Sequence, residues 1–314
     1  MILRSFDATT SHDLDASLVL FERVYGRAMS PAFYRWRFVE NPFGPPMISL
    51  LWEGDVLAGH YAVSPARSLI DTGPCLAGQS MTTMTHPSYR NQGVFTRLAT
   101  HLYDAMMGLG AALVWGLPNP QSHYGFTQKL HWRDVGIIAT MTWACKAIVH
   151  DTPIDDTAHI GPWTTELFAR SVDGRIYPSV KDEQYLKWRY VDHPEQHYTV
   201  FALPQSHDVL IVAKDYSTPQ GLALELVDYL FEDRQAFGVA LRGVLAWASH
   251  RNYAMVRTWM AVSDRAFPDL EKLGFLAREP LTYFGGRALA HPSVLDDAWS
   301  PHRWCITMGN SDNY

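Results

Sequence analysis

With 314 residues, 47% of them apolar and only 18% charged, the chain is long enough for one large or two ordinary folded units and carries no compositionally disordered block. A net charge of −6 argues against a general nucleic-acid binder while leaving room for a local basic pocket. Cys75, Cys145 and Cys305 fit neither a zinc spacing nor a disulfide framework, which suits a reducing, cytoplasmic setting.

The opening MILRSFD is too polar and too short for a signal peptide, and no apolar run reaches the about 18 residues of a membrane span. The first helix signal with a clear start is Ser30 followed by Pro31, an N-cap with a first-turn proline. Within SPAFYRWRFVENPFG, Phe33 and Trp36 stand three apart and share a face, so they read as core anchors. Arg37 is expected to pair with an acidic group of the same half. Alternating apolar residues then predict strands over Ile48–Trp52 and Leu57–Val63, and the Thr- and Met-rich Gly78–Thr85 predicts a third. From Val94, apolar residues at Phe95, Leu98, Leu102 and Met106 give the helical period, predicting a helix over Val94–Met107 that Gly108 and Gly110 end. Ala111–Gly116 reads as the next buried strand.

Between the third strand and this helix lies HPSYRNQGVFTRL. Arg90-Asn91-Gln92-Gly93 thus falls at a helix N-terminus, where free N–H groups and the positive end of the helix dipole point outward. Gly93 would let a phosphate approach the backbone, and Arg90 adds a full charge. Taken alone, such a turn is either an anion site or a plain strand-to-helix connection.

The second half repeats the first. DEQYLKWRYVDHPEQ aligns Trp188, Arg189, Asp192 and Pro194 with Trp36, Arg37, Glu40 and Pro42, about half the chain length earlier. Ser179-x-x-Asp182 resembles a capping box for this helix, with Tyr185 and Trp188 as its core pair and Arg189 as the counterpart of Arg37. Strands over Tyr198–Leu203 and Val209–Lys214 follow, then a longer strand and a helix. The repeat predicts two similar α/β units, residues 1–150 and 151–314, joined where HDTPIDDTAHIGP carries charge, Pro and Gly. The turn equivalent to Arg90–Phe95 is Phe231–Phe237, which has no glycine and places Glu232 and Asp233 where a phosphate would be repelled.

This order of elements, with Arg90-Asn91-Gln92-Gly93-Val94-Phe95 in the place of the [Q/R]-x-x-G-x-[G/A] turn and His86-Pro87 ahead of it, resembles the GNAT N-acyltransferase superfamily. Phe95 departs from the motif's final small residue. Downstream, GLPNPQSHYGFTQKLHW places Asn119 before a short helix that ends at Leu130-His131-Trp132, and VSDRAFPDLEKLGF is the second half's version. The resemblance covers nearly the whole chain as a tandem pair. YLKWRYVDHP and the terminal WCITMGNSDNY are similar to GNAT-type proteins of bacterial surface-polysaccharide functions, a link at the level of fold analogy.

The resemblance implies an α/β (α+β) fold of two tandem domains, each a mixed, mostly antiparallel sheet flanked by helices. It implies acetyl-CoA or another acyl-CoA as co-substrate, held by Met84, Thr85, Arg90, Asn91, Gln92, Gly93, Val94, Phe95, Thr96 and Asn119 of the first domain. The second, degenerate domain would supply scaffold and part of the acceptor pocket. The acid Tyr common in such enzymes is absent from its register, where Phe126 or Thr127 stands, so Tyr124 and His123 become the catalytic candidates. Gly78–Thr85 has no Asp or Glu to act as a strand-borne base. Asp312 and the carboxylate of Tyr314, after an apolar strand pattern at Trp304–Met308, are the candidate carboxylates, against a frayed polar terminus.

The leading expectation is transfer of an acyl group, acetyl first, to a small-molecule amine such as an amino sugar or sugar nucleotide. Amino acid, polyamine or aminoglycoside acceptors stay open. So do a CoA-binding regulatory protein without transfer activity and thioester chemistry without an amine. No nucleic acid and no membrane span is expected, and a homodimer is allowed. The histidines are scattered with no ligand spacing, so no metal is expected, and His101 and His250 read as structural or solvated.

Overall fold

Strand and helix periods in the first half resolve as the sequence predicts, with longer strands. The computed structural model describes residues 1–71, 73–146, 152–289 and 298–311. The chain divides into two units, one of residues 1–136 and 283–299, the other of 137–282 and 300–314. The division runs through two long strands, whereas the repeat in the sequence placed it at a loop near residue 151.

In the first unit β1 (Ile2–Ser5), β2 (Met47–Glu53), β3 (Val56–Ile70) and β4 (Gly73–Thr85) pair antiparallel in that order. Helix α1 is His12–Tyr25 and α2 is Pro31–Tyr34. The Ser30 side chain caps α2 by accepting from the Phe33 N–H, and the helix continues as a π turn over Arg35–Val39. Helix α3 is Val94–Gly108 and β5 is Leu113–Gly116, the latter parallel to β4. Residues 285–288 of β11 (Leu276–Ala288) then pair antiparallel with β5. A strand from the far end of the sequence therefore completes this sheet.

Two apolar layers hold the unit. Leu14, Leu20 and Phe21 of α1 pack with Tyr34, Phe38, Ile48 and Leu50 on one face; Val94, Leu98, Leu102 and Met106 of α3 pack with Tyr61, Val63 and Val114 on the other. Burying each such side chain contributes about 1.5–3 kcal/mol. Gly59 lies under α3, and a Cβ there would overlap the Val94 and Leu98 side chains, so the bare strand lets the helix start sit close.

His60 is fully buried inside the α1 layer, between the Tyr34 hydroxyl at 2.9 Å and the Thr82 carbonyl at 3.1 Å. Burial pushes its pKa down to about 4, and the carbonyl contact offsets only part of that. Unfolded, it would titrate near its ordinary value of about 6.5. The unfolded chain thus binds the extra proton between these values, so His60 lowers stability progressively as pH falls from about 6.5 towards 4, by about 3 kcal/mol in all. Denaturant unfolding of wild type and His60→Gln at pH 7 and 4.5 checks this: the variant should lose much of the acid sensitivity, and an equal pH slope in both would refute it.

The second unit repeats the plan. Helix α5 is Pro162–Ser171 and α6 is Glu183–Leu186, which runs into a π turn over Lys187–Val191 just as α2 does. The N-cap of α6 is Asp182, whose carboxylate accepts from the Tyr185 N–H. The capping box starting at Ser179 does not form, because Ser179 is buried ahead of the helix. Strands β7 (Thr199–Ala202), β8 (Val209–Thr218) and β9 (Gly221–Phe231) pair antiparallel, and β10 (Met255–Trp259) is parallel to β9. Residues 140–144 of β6 (Arg133–Ala144) close that sheet on β10. Helix α7 (Arg234–His250) and α8 (Phe267–Leu273) complete the unit, with Phe237, Leu241, Val244 and Leu270 in its core.

The core-anchor reading of the repeated aromatics holds: Phe33 and Trp36 lie 5.6 Å apart, Tyr185 and Trp188 6.1 Å, and both tryptophans are buried. The repeated arginines are both buried within their own units. Arg37 donates to Gln79 Oε1, and Arg189 to the Tyr198 hydroxyl and the carbonyls of Gly309 and Ser311. The Trp304–Met308 segment is not a strand; it makes one bridge, Trp304 to Ile176, before a 3-10 turn at Met308–Asn310. Residues Trp304 to Ser311 are buried within the second unit, and Asp312 lies outside the described residues.

Candidate active site

The parallel pairing of β4 with β5 runs only from Ala77/Leu113 to Ser80/Gly116. Beyond it β4 continues along β3 to Thr85, with a bulge between Tyr61/Thr83 and Val63/Ser80, while the chain after Gly116 turns away towards Asn119. The two strands part here, and the turn from β4 into α3 stands at the end of the β4 arm.

That turn starts as a 3-10 turn, Pro87–Tyr89. Asn91 and Gly93 both adopt left-handed backbone, φ 61° and 72°, on either side of Gln92. Such alternation aims successive N–H groups to one side and makes a concavity for an anion. Gly93 is the N-cap of α3 and has no side chain to satisfy the first-turn donors. The first helical bond, Arg97 N–H to Gly93 carbonyl, leaves the N–H groups of Val94, Phe95 and Thr96 without a carbonyl partner inside the helix. A Cβ at Gly93 would meet nothing within 4 Å, so glycine is there for its backbone and for the open space above it.

Arg90, Asn91, Gln92 and Gly93 are exposed, and Gln92 is tethered by its amide to the Ser88 carbonyl at 3.1 Å. Thr85 and Thr96 are half-buried beside them. Two predicted contacts are confined to backbone: Met84 is 1% exposed and Val94 2%, both with side chains in the apolar layers.

Phe95, the departure from the small residue of the motif, is absorbed by its surroundings. Its ring packs edge-on against Phe126 at 5.2 Å and tilts against Tyr61 at 6.3 Å. Gly125 faces it, and a Cβ there would lie 3.1 Å from the ring. Gly125→Val is therefore expected to destabilise the unit by about 1–3 kcal/mol through overpacking. In denaturant melts, Phe95→Ala in the same chain should recover part of the loss, and strictly additive effects would disprove the coupling.

Below the split runs a hydrogen-bonded chain that no local spacing in the sequence announces. The Tyr61 hydroxyl meets Ser80 Oγ at 2.7 Å and the Tyr103 hydroxyl at 3.1 Å, and Trp132 Nε1 donates to Tyr103 at 3.0 Å. These groups come from β3, β4, α3 and the segment that ends at Trp132, and burial raises both phenol pKa values, that of Tyr103 to about 12. They form a neutral floor.

Helix α4 (Pro120–Tyr124) follows the split, capped by Asn119, whose side chain accepts from the N–H groups of Gln121 and Ser122. Asn119 is exposed with its oxygen committed to the cap. Tyr124 is 67% exposed. Phe126, in the register of the usual acid, is 5% exposed and part of the core. His123 is held on two sides: Nε2 lies 2.6 Å from Asp134 Oδ1, and the ring stacks on Tyr283 with centroids 4.3 Å apart. Asp134 starts β6 and Tyr283 belongs to β11, so neither is near His123 in sequence.

The second unit splits its sheet in the same way, where β9/β10 pairing ends at Leu226/Thr258. At the equivalent helix start, Asp233 caps α7 by accepting from the Ala236 N–H at 2.8 Å, and Glu232 pairs with Arg170 at 2.7 Å. Its own carboxylate occupies the anion position. The polar groups after the split are buried together: Asp228 accepts from Lys181 Nζ at 2.5 Å, the Tyr190 hydroxyl at 2.7 Å and Thr307 Oγ1 at 3.1 Å.

Residues 5–134 match the family model described as acetyltransferase (GNAT) domain. Among solved structures, a GCN5-related N-acetyltransferase from Anabaena variabilis ATCC 29413 is similar at 14% identity and TM-score 0.70, over 92% of this chain and 73% of that one. A conserved protein from Enterococcus faecalis V583 aligns at 10% identity and TM-score 0.69, over 92% and 72%. A GCN5-related N-acetyltransferase from Kribbella flavida aligns at 15% identity and TM-score 0.66, over 93% and 72%. At such identities the likeness is one of fold: the mixed sheet flanked by helices is the architecture of these solved structures. No curated protein sequence matches the chain. Among the described residues no helix is long and apolar enough to cross a membrane.

Proposed function

We propose that the first unit binds acyl-CoA, with acetyl-CoA the leading donor, at the Arg90–Phe95 turn and transfers the acyl group to a small amine, an amino sugar or sugar nucleotide being the favoured class. Amino acid, polyamine and aminoglycoside acceptors belong to the same test. The observation that carries this reading is the uncapped start of α3 at the mouth of the split sheet. Exposed N–H groups, Gly93 and Arg90 converge there, and the second unit fills the same place with Asp233. The second unit is then a degenerate copy that binds no CoA, in a cytoplasmic enzyme of the tandem type.

His123 serves as general base through Nδ1 and Tyr124 as the phenol that returns a proton to the leaving thiolate, with Asp312 as an alternative carboxylate. The exposure of Tyr124 suits a group that is covered only when substrates are bound. Thiol release from acetyl-CoA with a panel of amines tests transfer, and calorimetry should count one CoA per chain. Turnover with none of the amines despite CoA binding would favour a regulatory protein, and two equivalent CoA sites would contradict the degenerate second unit. Gly93→Asp places a carboxylate in the cradle, and it should raise the KM for acetyl-CoA about tenfold or more while leaving the melting temperature within a few degrees. Unchanged KM would return the turn to a simple connection.

A further inference from the structure

Helix α1 ends beside the entrance to this turn. The Tyr25 hydroxyl donates to the Thr83 carbonyl of β4 at 3.1 Å, and Arg23 Nη1 lies 2.5 Å from His86 Nε2. His86 is the first residue of the turn, and its Nδ1 accepts from the Ser88 N–H at 3.2 Å. These two contacts compete. A neutral imidazole offers one acceptor and carries one N–H, and a guanidinium only donates. If Nδ1 accepts from Ser88, Nε2 bears the hydrogen and points it at another donor. Three N–H groups thus share one lone pair.

The charge at this place is also uncompensated. Among the described residues neither Arg23 nor Arg90 makes an ion pair, and both are exposed. Arg90 stands four residues after His86, at the other end of the 3-10 turn. The site therefore lacks an acceptor with several lone pairs and negative charge, which is what a phosphoryl group supplies.

We infer that Arg23 and His86, with Arg90 across the turn, form a clamp for a phosphoryl group of the acyl-CoA. This rests on the proposed donor and adds a residue from α1, outside the β4–α3 turn, to its binding. The phosphoryl oxygens would accept from Arg23 and from His86 Nε2–H while Ser88 keeps Nδ1. Each donor would then have its own acceptor, and the pyrophosphate and the ribose 3′-phosphate are the two sources of that chemistry.

Calorimetry with wild type, Arg23→Gln and His86→Asn tests the clamp; asparagine keeps an acceptor for Ser88 and removes Nε2. Arg23→Gln should weaken acetyl-CoA about tenfold to a hundredfold and leave S-acetyl-pantetheine unchanged. A loss that persists with acetyl-dephospho-CoA assigns the pyrophosphate, and a loss that vanishes with it assigns the 3′-phosphate. Wild-type affinity for acetyl-CoA in both variants overturns the clamp and leaves the donor assignment standing. If wild type binds no acyl-CoA, the donor assignment fails, and inorganic pyrophosphate judges the clamp: binding that Arg23→Gln abolishes retains it, and no binding ends it.

Discussion

Asp228→Ala is expected to destabilise the second unit by about 3–5 kcal/mol, because it leaves the Lys181 ammonium buried with no counter-charge. Lys181 is 0% exposed and Asp228 1%. Burial by itself would lower the Lys181 pKa, yet the adjoining carboxylate outweighs it and holds the group above its ordinary value. The carboxylate also accepts from the Tyr190 and Thr307 hydroxyls and from the Tyr229 N–H at 2.9 Å. Each of these donors comes from a different segment: the loop before α6, the π turn after it, β9 and the C-terminal stretch. One side chain therefore fastens Thr307 and its neighbours to the sheet. Gly309 beside it has no space for a side chain, since a Cβ would run into the Tyr190 hydroxyl.

The variants separate charge from hydrogen bonding. Asp228→Asn keeps acceptors for Tyr190 and Thr307 but loses the ion pair, so it should fall between wild type and Asp228→Ala. Lys181→Met combined with Asp228→Leu removes both charges and should recover much of the loss seen in Asp228→Ala, because a buried pair repays its own desolvation poorly. Denaturant unfolding measures the order, and limited proteolysis after Trp304 reports release of the terminal stretch. An Asp228→Ala protein within 1 kcal/mol of wild type, on the scale of an ordinary surface change, would mean that the pair carries no net stabilisation.

Periodicity and capping were enough to locate most elements, because each is decided within a few residues. Ser30 caps α2 and Asn119 caps α4 for reasons contained in their own turns. The repeat likewise disclosed two units of one plan. It could not disclose that β11 completes the sheet beside β5 and β6 the sheet beside β10, since strand pairing across such separations leaves no local pattern. The capping signal at Ser179 misled because Asp182, three residues later, is itself the N-cap and its carboxylate takes the Tyr185 N–H. Phe95 looked like a flaw in the motif until Gly125 and Phe126 appeared opposite it. The turn before α3 was legible because glycine, arginine and a helix start coincide in six residues. The Tyr61–Ser80–Tyr103–Trp132 floor was not, because it is assembled from four elements.

The same limit applies to His123, whose sequence neighbours do not reveal what holds it. Asp134 accepts from Nε2–H at 2.6 Å and Tyr283 covers one ring face, which fixes the ring and leaves Nδ1 as the basic nitrogen. A base so oriented would take a proton from the acceptor ammonium and so free the lone pair that then attacks the thioester, while the α3 turn would hold the far end of the donor. His123→Gln should then lower kcat by about 10²–10⁴ with the KM for acetyl-CoA little changed, since the residue acts on the proton and not on the phosphates. Asp134→Asn exchanges the carboxylate for an amide and should lower kcat less than His123→Gln, because the amide oxygen can still accept from Nε2–H and orient the ring. Tyr124→Phe separates the acid from the base: it should lower kcat and leave acetyl-CoA binding unchanged, since the phenol would protonate the departing CoA thiolate and not the amine. Wild-type kcat in His123→Gln, with a cognate amine in hand, would move the base away from α4 and return the His123–Asp134 pair to a structural role.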